Sequence, residues 1–278
     1  MTTLTFAALI ALGSVGAGLI GALTGLGGGV ILVPLLTLGF GVNVRYAAGA
    51  SLVSVIATSS GAAATYVRDG FTNMRIGMLL EVATTIGAIA GAIVAGYVST
   101  GFIAIVFGLV LLYSAFRAAT PTTEAGADGP PDAIATRFGL DGSFPTPAGP
   151  RPYTVSHVPL GFGLMGLAGV LSGLLGVGSG AVKVLAMDRA MRLPFKVSTT
   201  TSNFMIGVTA AASAGIYLRR GYIDPVLACP VILGALVGAL IGARLLRNVE
   251  VPMLRRIFAI VIAALAVEMI LKGLHGTL

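Results

Sequence analysis

The chain reads as an all-α polytopic membrane protein of two inverted repeats, each with about five apolar segments and a Gly-broken short helix. Three observations predict this. Of 278 residues, 56% are hydrophobic and only 10% charged, with a mean hydropathy of +0.99, against roughly 25% charged in an average soluble domain. A glycine-rich break, Gly25-Leu-Gly-Gly-Gly29, recurs 151 residues later as Gly176-Val-Gly-Ser-Gly180. Sliding Gly18–Phe71 onto Gly169–Tyr222 without a gap gives twelve identities over 54 positions, where shared Gly and Ala bias would give roughly four or five. Finally, the basic residues sort to one side of the apolar segments.

In order, the first half (1–119) holds apolar segments at 4–24, 30–42, 46–67, 75–98 and 101–118. Residues 120–152 are rich in Pro, Gly, Asp and Thr with no apolar period, and read as a mobile polar cytoplasmic linker. The second half (153–278) repeats the pattern at 157–175, 180–192, 197–218, 225–246 and 252–272. Segments 30–42 and 180–192 are odd: about 13 residues make only about 20 Å of helix, short of a hydrocarbon core about 30 Å thick.

If each segment crosses, twelve Lys and Arg residues fall on one side and four (Arg45, Arg219, Arg220, Lys272) on the other, with Lys183 set aside. If the short segments do not cross, the division is eight against eight. The positive-inside rule favours five crossings per half, with the amino terminus outside and the linker in the cytoplasm. An odd number of crossings makes the halves inverted. Met1–Ala22 lacks the positive n-region of a secretory signal.

The net charge of +7 sits in short connections and serves topology, which leaves no case for nucleic acid. One cysteine, Cys229, excludes an internal disulfide and a Cys metal cluster, and His157 and His275 lie far apart at segment ends. There is no HExxH, no Walker loop and no nucleophile–base pair. The sequence predicts no enzyme, no metal and no cofactor.

Irregular backbone inside a bilayer survives only where protein or water satisfies it. Paired Gly-interrupted segments therefore point to a substrate site, with helix N-termini able to hold an anion. Gly27, Gly28, Gly29, Gly178, Ser179 and Gly180 are its backbone candidates. The competing reading is close helix packing. Ser51, Ser54 and Thr58 share a helical stripe, repeated by Ser202 and Thr209, and Ser198–Asn203 is an unbroken polar run, so Ser51, Thr58, Ser202, Asn203 and Thr209 are side-chain candidates. Lys183 lies three residues past Gly180 with no well-spaced acid on its own segment, as an ion-path residue or one that snorkels outward. Arg45 and Lys196, matched by the repeat, are electrostatic or gating candidates, or plain topology signals. Glu81, deep in its segment, either carries a proton or pairs with a base. Glu268 and Lys272 make an i, i+4 pair with no assigned role. Gly87-xxx-Gly91 and Gly234-xxx-Gly238-xxx-Gly242 read as close-packing seams, within one protomer or at a homodimer face.

Gly27-Gly-Gly-Val-Ile-Leu-Val-Pro34, its copy Gly178-Ser-Gly-Ala-Val-Lys-Val184 and Thr199-Thr-Thr-Ser-Asn-Phe204 resemble the TauE/SafE sulfite exporter family, also called the 4-toluene sulfonate uptake permeases. The resemblance spans both halves. It implies a multi-pass bacterial inner (plasma) membrane transporter of a small sulfur-containing anion: sulfite, thiosulfate or an organosulfonate. Two departures stand out: Ser179 replaces a glycine, and Leu185 replaces a proline, which is expected to straighten that short segment. An anion channel, or a scaffold acting through the linker, are the alternatives.

Overall fold

A computed structural model describes residues 3–24, 28–119, 132–146, 149–245 and 251–275. The first half contains α1 (Thr3–Thr24), α2 (Gly29–Pro34) running into a wide π turn at Leu35–Gly39, α3 (Val44–Arg68), α4 (Met74–Ala95) and α5 (Thr100–Ala119). Between the halves lie α6 (Ala133–Phe138) and an antiparallel hairpin of β1 (Gly142–Thr146) and β2 (Gly149–Tyr153). The second half contains α7 (Val158–Leu175), α8 (Gly180–Leu185) with its own π turn at Ala186–Ala190, α9 (Phe195–Arg219), α10 (Pro225–Leu245) and α11 (Val251–His275). Five described helices, α1, α3, α4, α7 and α10, are long and apolar enough to cross a membrane.

Every major packing has a counterpart 151 residues on. α1 packs on α10 as α7 packs on α4, and α3 meets α10 as α9 meets α4. The two seams match residue for residue. A Cβ added to Gly18 would overlap the Ala235 carbonyl, and one on Gly169 the Thr84 carbonyl. Likewise Gly238 lies on Val15 and Gly87 on Gly166, while Gly242 lies on Leu19 and Gly91 on Val170. Both glycine seams are thus consumed within the chain. Without lipid-excluding force between helices, such backbone contact is what holds them together. α5 and α11 run in opposite directions, with Gly101 against Gly273 and Gly108 against Ala266 and Ile270.

Each short helix doubles back along the helix before it. Gly28 lies beside Ala17 and Gly18, Leu35 beside Gly13, and Phe40 stacks edge-on with Phe6 at 5.7 Å. In the second half the Ser179 hydroxyl donates to Ala168 O (2.6 Å) and Ser156 N donates to Met191 O (3.1 Å). The expected straightening at Leu185 does not occur. Both short helices widen into π turns at matching positions, one after Pro34 and one after Leu185, so packing rather than proline sets the turn.

The linker is corrected from residue 132 onward. Asp132 caps α6 by accepting from Ile134 N (2.9 Å), and Gly139 ends it at φ 58°. Asp132 also accepts from Val158 N (2.8 Å), which ties α6 to the start of α7, and Asp141 accepts from Val155 N (2.8 Å). Ala135, Leu140, Tyr153 and Val155 are buried against Ile76, Leu80, Met187, Met191 and Met205. These apolar residues are spaced too irregularly for a periodic signal, yet together they fill one surface. The remaining parts, 120–131 and 147–148, lie outside the described residues.

Two outcomes follow. Gly91→Ala forces α4 off the Val170 carbonyl and should lower stability by about 1–3 kcal/mol, whereas Gly163→Ala, with nothing within 4 Å of its Cβ, should leave the melting temperature in detergent unchanged. The backbone N–H groups of Ile134 and Val158 hold the Asp132 carboxyl below its ordinary range. Its stabilisation is therefore complete above about pH 4 and lost as pH falls through the lower folded value. Asp132→Ala should remove about 1 kcal/mol and speed hydrogen exchange at Ile134 and Val158 at neutral pH, with wild type converging on the variant in acid.

Candidate functional site

The described parts of the two breaks come together between α3 and α9. α7 ends where Gly176 turns left-handed (φ 71°), and Gly178 (φ 73°) and Ser179 (φ 45°) follow in the same region before α8 begins. Glycine adopts this region freely; Ser179 does not, and its bond to Ala168 O compensates. A Cβ on Gly29 would lie 2.7 Å from Ser51 Oγ, 3.0 Å from Val55 Cγ2 and 3.1 Å from the Val177 Cα. One on Gly178 would lie 2.7 Å from Ile206 Cγ2 and 3.3 Å from Val55 Cγ1. The first break therefore lies against the second, clasped by α3 and α9. Gly27 lies outside the described residues.

A narrow cleft, with room as it stands for about one water, leads to Gly28 between α1, α3, α9 and α10. Thr58, Ser59, Tyr66 and Asn203 supply its polar lining. Gly21 and Ala22 of α1 and Tyr66 of α3 also line it, so it opens where α1 and α3 end. Of the predicted residues, Gly28, Thr58 and Asn203 reach this cleft. Ser59 and Tyr66 were not anticipated as site residues, although Tyr66 matches Tyr217 in the repeat. The Tyr217 hydroxyl is buried 3.1 Å from Gly173 O and 3.2 Å from Leu174 O, at the end of α7.

The hydroxyl stripe splits in role. Ser51 and Ser54 are buried without a hydrogen-bond partner among the described residues, while Thr58 donates to Val55 O (3.3 Å) within its helix. In the polar run, Ser202 donates to Gly180 O (3.3 Å) and Thr200 to Phe71 O (2.9 Å). Thr201 accepts from Asn73 N (3.1 Å), and Asn73 in turn caps α4. This sets α4 beside α9 and running the same way.

That register brings three predicted residues into one chain. Lys183, fully buried, donates to Thr209 Oγ1 (2.5 Å). Thr209 donates to Glu81 Oε1 (2.7 Å), with Met205 O 3.0 Å away, and Thr85 donates to the same Glu81 oxygen (3.1 Å). Glu81 is only 9% exposed, and its Oε2 is buried without a partner among the described residues. Lys183 does not snorkel. Its acid comes from another helix, which spacing along its own segment could not reveal. Thr209 repeats as Thr58, but the positions matching Lys183 and Glu81 hold Leu32 and Ile232.

The paired cations diverge. Arg45 donates to Val98 O (2.7 Å) and stacks over Tyr222 with 5.7 Å to the ring centre, whereas Lys196 is exposed. Glu268 and Lys272 form the expected surface pair at 3.4 Å. Among the described residues, no cluster of His, Cys, Asp or Glu could hold a metal.

The model of the sulfite exporter TauE/SafE family matches residues 9–269. The chain belongs to that family. As a TauE/SafE protein it is 26% identical over 286 residues to the probable membrane transporter protein YunE of Bacillus subtilis (strain 168), covering 98% of this chain and 100% of the relative. It is 27% identical over 228 residues to the probable membrane transporter protein YdhB of the same bacterium, covering 82% and 85%. It is 24% identical over 263 residues to a probable membrane transporter protein of Xylella fastidiosa (strain 9a5c), covering 92% and 93%. No solved structure matches. This TauE/SafE chain is a multi-pass protein of a bacterial membrane, and the relatives it matches carry the name probable membrane transporter protein.

The Lys183–Thr209–Glu81 chain makes a stability prediction. Lys183→Met or Glu81→Gln alone leaves one buried charge uncompensated, at a cost of about 3 kcal/mol. The double variant should recover most of that loss, read as melting temperature in detergent.

Proposed function

We propose that this protein is a secondary transporter of a small sulfur-containing anion, sulfite, thiosulfate or an organosulfonate, working by alternating access between two inverted halves. The observation that carries the reading is the contact of the two glycine breaks at Gly29 and Val177. Two helix starts meet there, and helix starts present unpaired N–H groups and positive dipole ends. Gly27, Gly28, Gly29, Gly178, Ser179 and Gly180 would offer backbone to the anion, with Ser51, Thr58, Ser202 and Asn203 as polar side chains. The buried, unpartnered Ser51 hydroxyl beside Gly29 supports this, as does the cleft ending at Gly28 and Asn203. Lys183 and Thr209 stand just behind, as positive charge and its tether.

Inversion is supported by the opposed directions of the repeat-matched helices α5 and α11. The return of α2 along α1 toward Phe6 supports an odd number of crossings per half. With basic loops placed in the cytoplasm, the cleft is the inward-facing mouth. Arg45, held on Val98 and Tyr222 at the opposite mouth, draws anions to the outer side, and Lys196 to the inner side. The sulfur-anion class rests on the family's name. A channel would instead show flux far above carrier turnover and no counterflow.

Purified protein tested with sulfite, thiosulfate, methanesulfonate, sulfate and acetate should be stabilised selectively by a sulfur anion, by about 2.7 kcal/mol at a hundredfold excess over Kd. Asn203→Ala should lose most of the thermal shift. Absence of any shift with the sulfur anions in wild type would remove the substrate class.

A further inference from the structure

We infer that Glu81 is the proton-binding site that couples anion movement to a proton, with Thr209 joining it to Lys183. The inference deepens the transport reading above and rests on it. Lys183 is the only Lys or Arg inside either short helix's α-helical part, and it is fully buried three residues past the second break. Its ammonium donates to Thr209, and the Thr209 hydroxyl is directed at Glu81 Oε1. With Glu81 ionised the pair is neutral overall and offers nothing to an anion. A proton taken up by Glu81 makes the carboxyl neutral and leaves the Lys183 charge to be balanced by the anion. Release of the anion to the far side returns the proton there.

The fold does not require these charges. The matching positions in the other half are Leu32, fully buried, and Ile232, half-buried, while Thr58 closes its hydroxyl on its own helix. Buried charge is costly inside a membrane and marks an ion path. Glu81 Oε2, buried and unpartnered among the described residues, is the open acceptor.

The surroundings single out this carboxyl. α7 carries no titratable side chain, and α9 carries only Lys196, Tyr217 and Arg219 near its ends. On α4 the other charge is Arg75, exposed and donating to Gly139 O (2.9 Å). The π turn after α8 adds Asp188 and Arg189, paired with each other at 3.8 Å. From the linker, Asp132 and Asp141 are engaged by backbone N–H groups.

Methanesulfonate is the probe, because it is a permanent monoanion and cannot carry the proton itself. Proteoliposomes enclosing a pH dye, with the membrane potential clamped, should acidify inside as methanesulfonate enters through wild type, a proton for each anion. Glu81→Gln should exchange methanesulfonate in counterflow with loss of the acidification, and Glu81→Asp should restore part of it. Acidification by Glu81→Gln equal to wild type, or wild-type uptake without acidification, would overturn the inference. If Glu81→Gln does not fold, Glu81→Asp, which keeps a carboxylate for Lys183, takes its place: less acidification per methanesulfonate than wild type supports the inference, and acidification equal to wild type overturns it. If wild type carries no methanesulfonate and binds no sulfur anion, the substrate reading falls by itself. The protonated-carboxyl band in infrared difference spectra then decides: a band that titrates in wild type and vanishes in Glu81→Gln keeps the proton site, and no such band in wild type removes it.

Discussion

A backbone that stops being helical at the depth of lipid tails must be satisfied by other protein, because hydrocarbon offers nothing. That constraint organises this molecule. The breaks near Gly28 and at Gly176–Ser179 can exist only if something surrounds them, and what surrounds each is the other break together with α3 and α9. To bring those elements so close, α1 and α10, and α4 and α7, must press backbone on backbone along glycine seams. A side chain on Gly91 or Gly238 would part the seams, and the breaks would lose their shelter.

The two halves solve the packing alike and the chemistry differently. Gly28 has ordinary right-handed dihedrals (φ −61°), while its counterpart Ser179 is left-handed and tethered through its hydroxyl to α7. The cleft reaches only the first break. The charged chain lies only beside the second. The repeat differs in kind at a few positions, Lys183 and Glu81 foremost, where the matched residues are the apolar Leu32 and Ile232. The hairpin and α6 add to this asymmetry, since they cover the ends of α4, α7 and α9 and have no equivalent over α1, α3 and α10 among the described residues.

Much of this was legible. Long apolar runs mark helices because lipid leaves backbone no other partner, so ten segments stood out. The 151-residue offset carried the pairing of halves, and the structure extends it past Phe71 to the seams at Gly91 and Gly242. Glycine spacing on α4 and α10 announced close packing but not with whom. The order within residues 132–153 was half legible: Asp132 and Gly139 are ordinary start and stop signals for a short helix. Its apolar side chains showed no period because they fill a surface made by three other helices.

By itself, then, the sequence determined the membrane class, the segment order and the repeat, and singled out the glycines and polar side chains that are candidates for a site. Those properties are local or periodic, set by transfer of each side chain between water and lipid and by glycine's freedom of rotation. Tertiary structure alone decided that Gly29 meets Val177, that the cleft ends at Asn203, and that Lys183 finds its acid in Glu81, 102 positions earlier in the chain. These contacts join helices through the register of Asn73 on Thr201 and of Thr209 on Glu81. That register depends on the shape of whole packed faces, which no spacing along a single segment encodes.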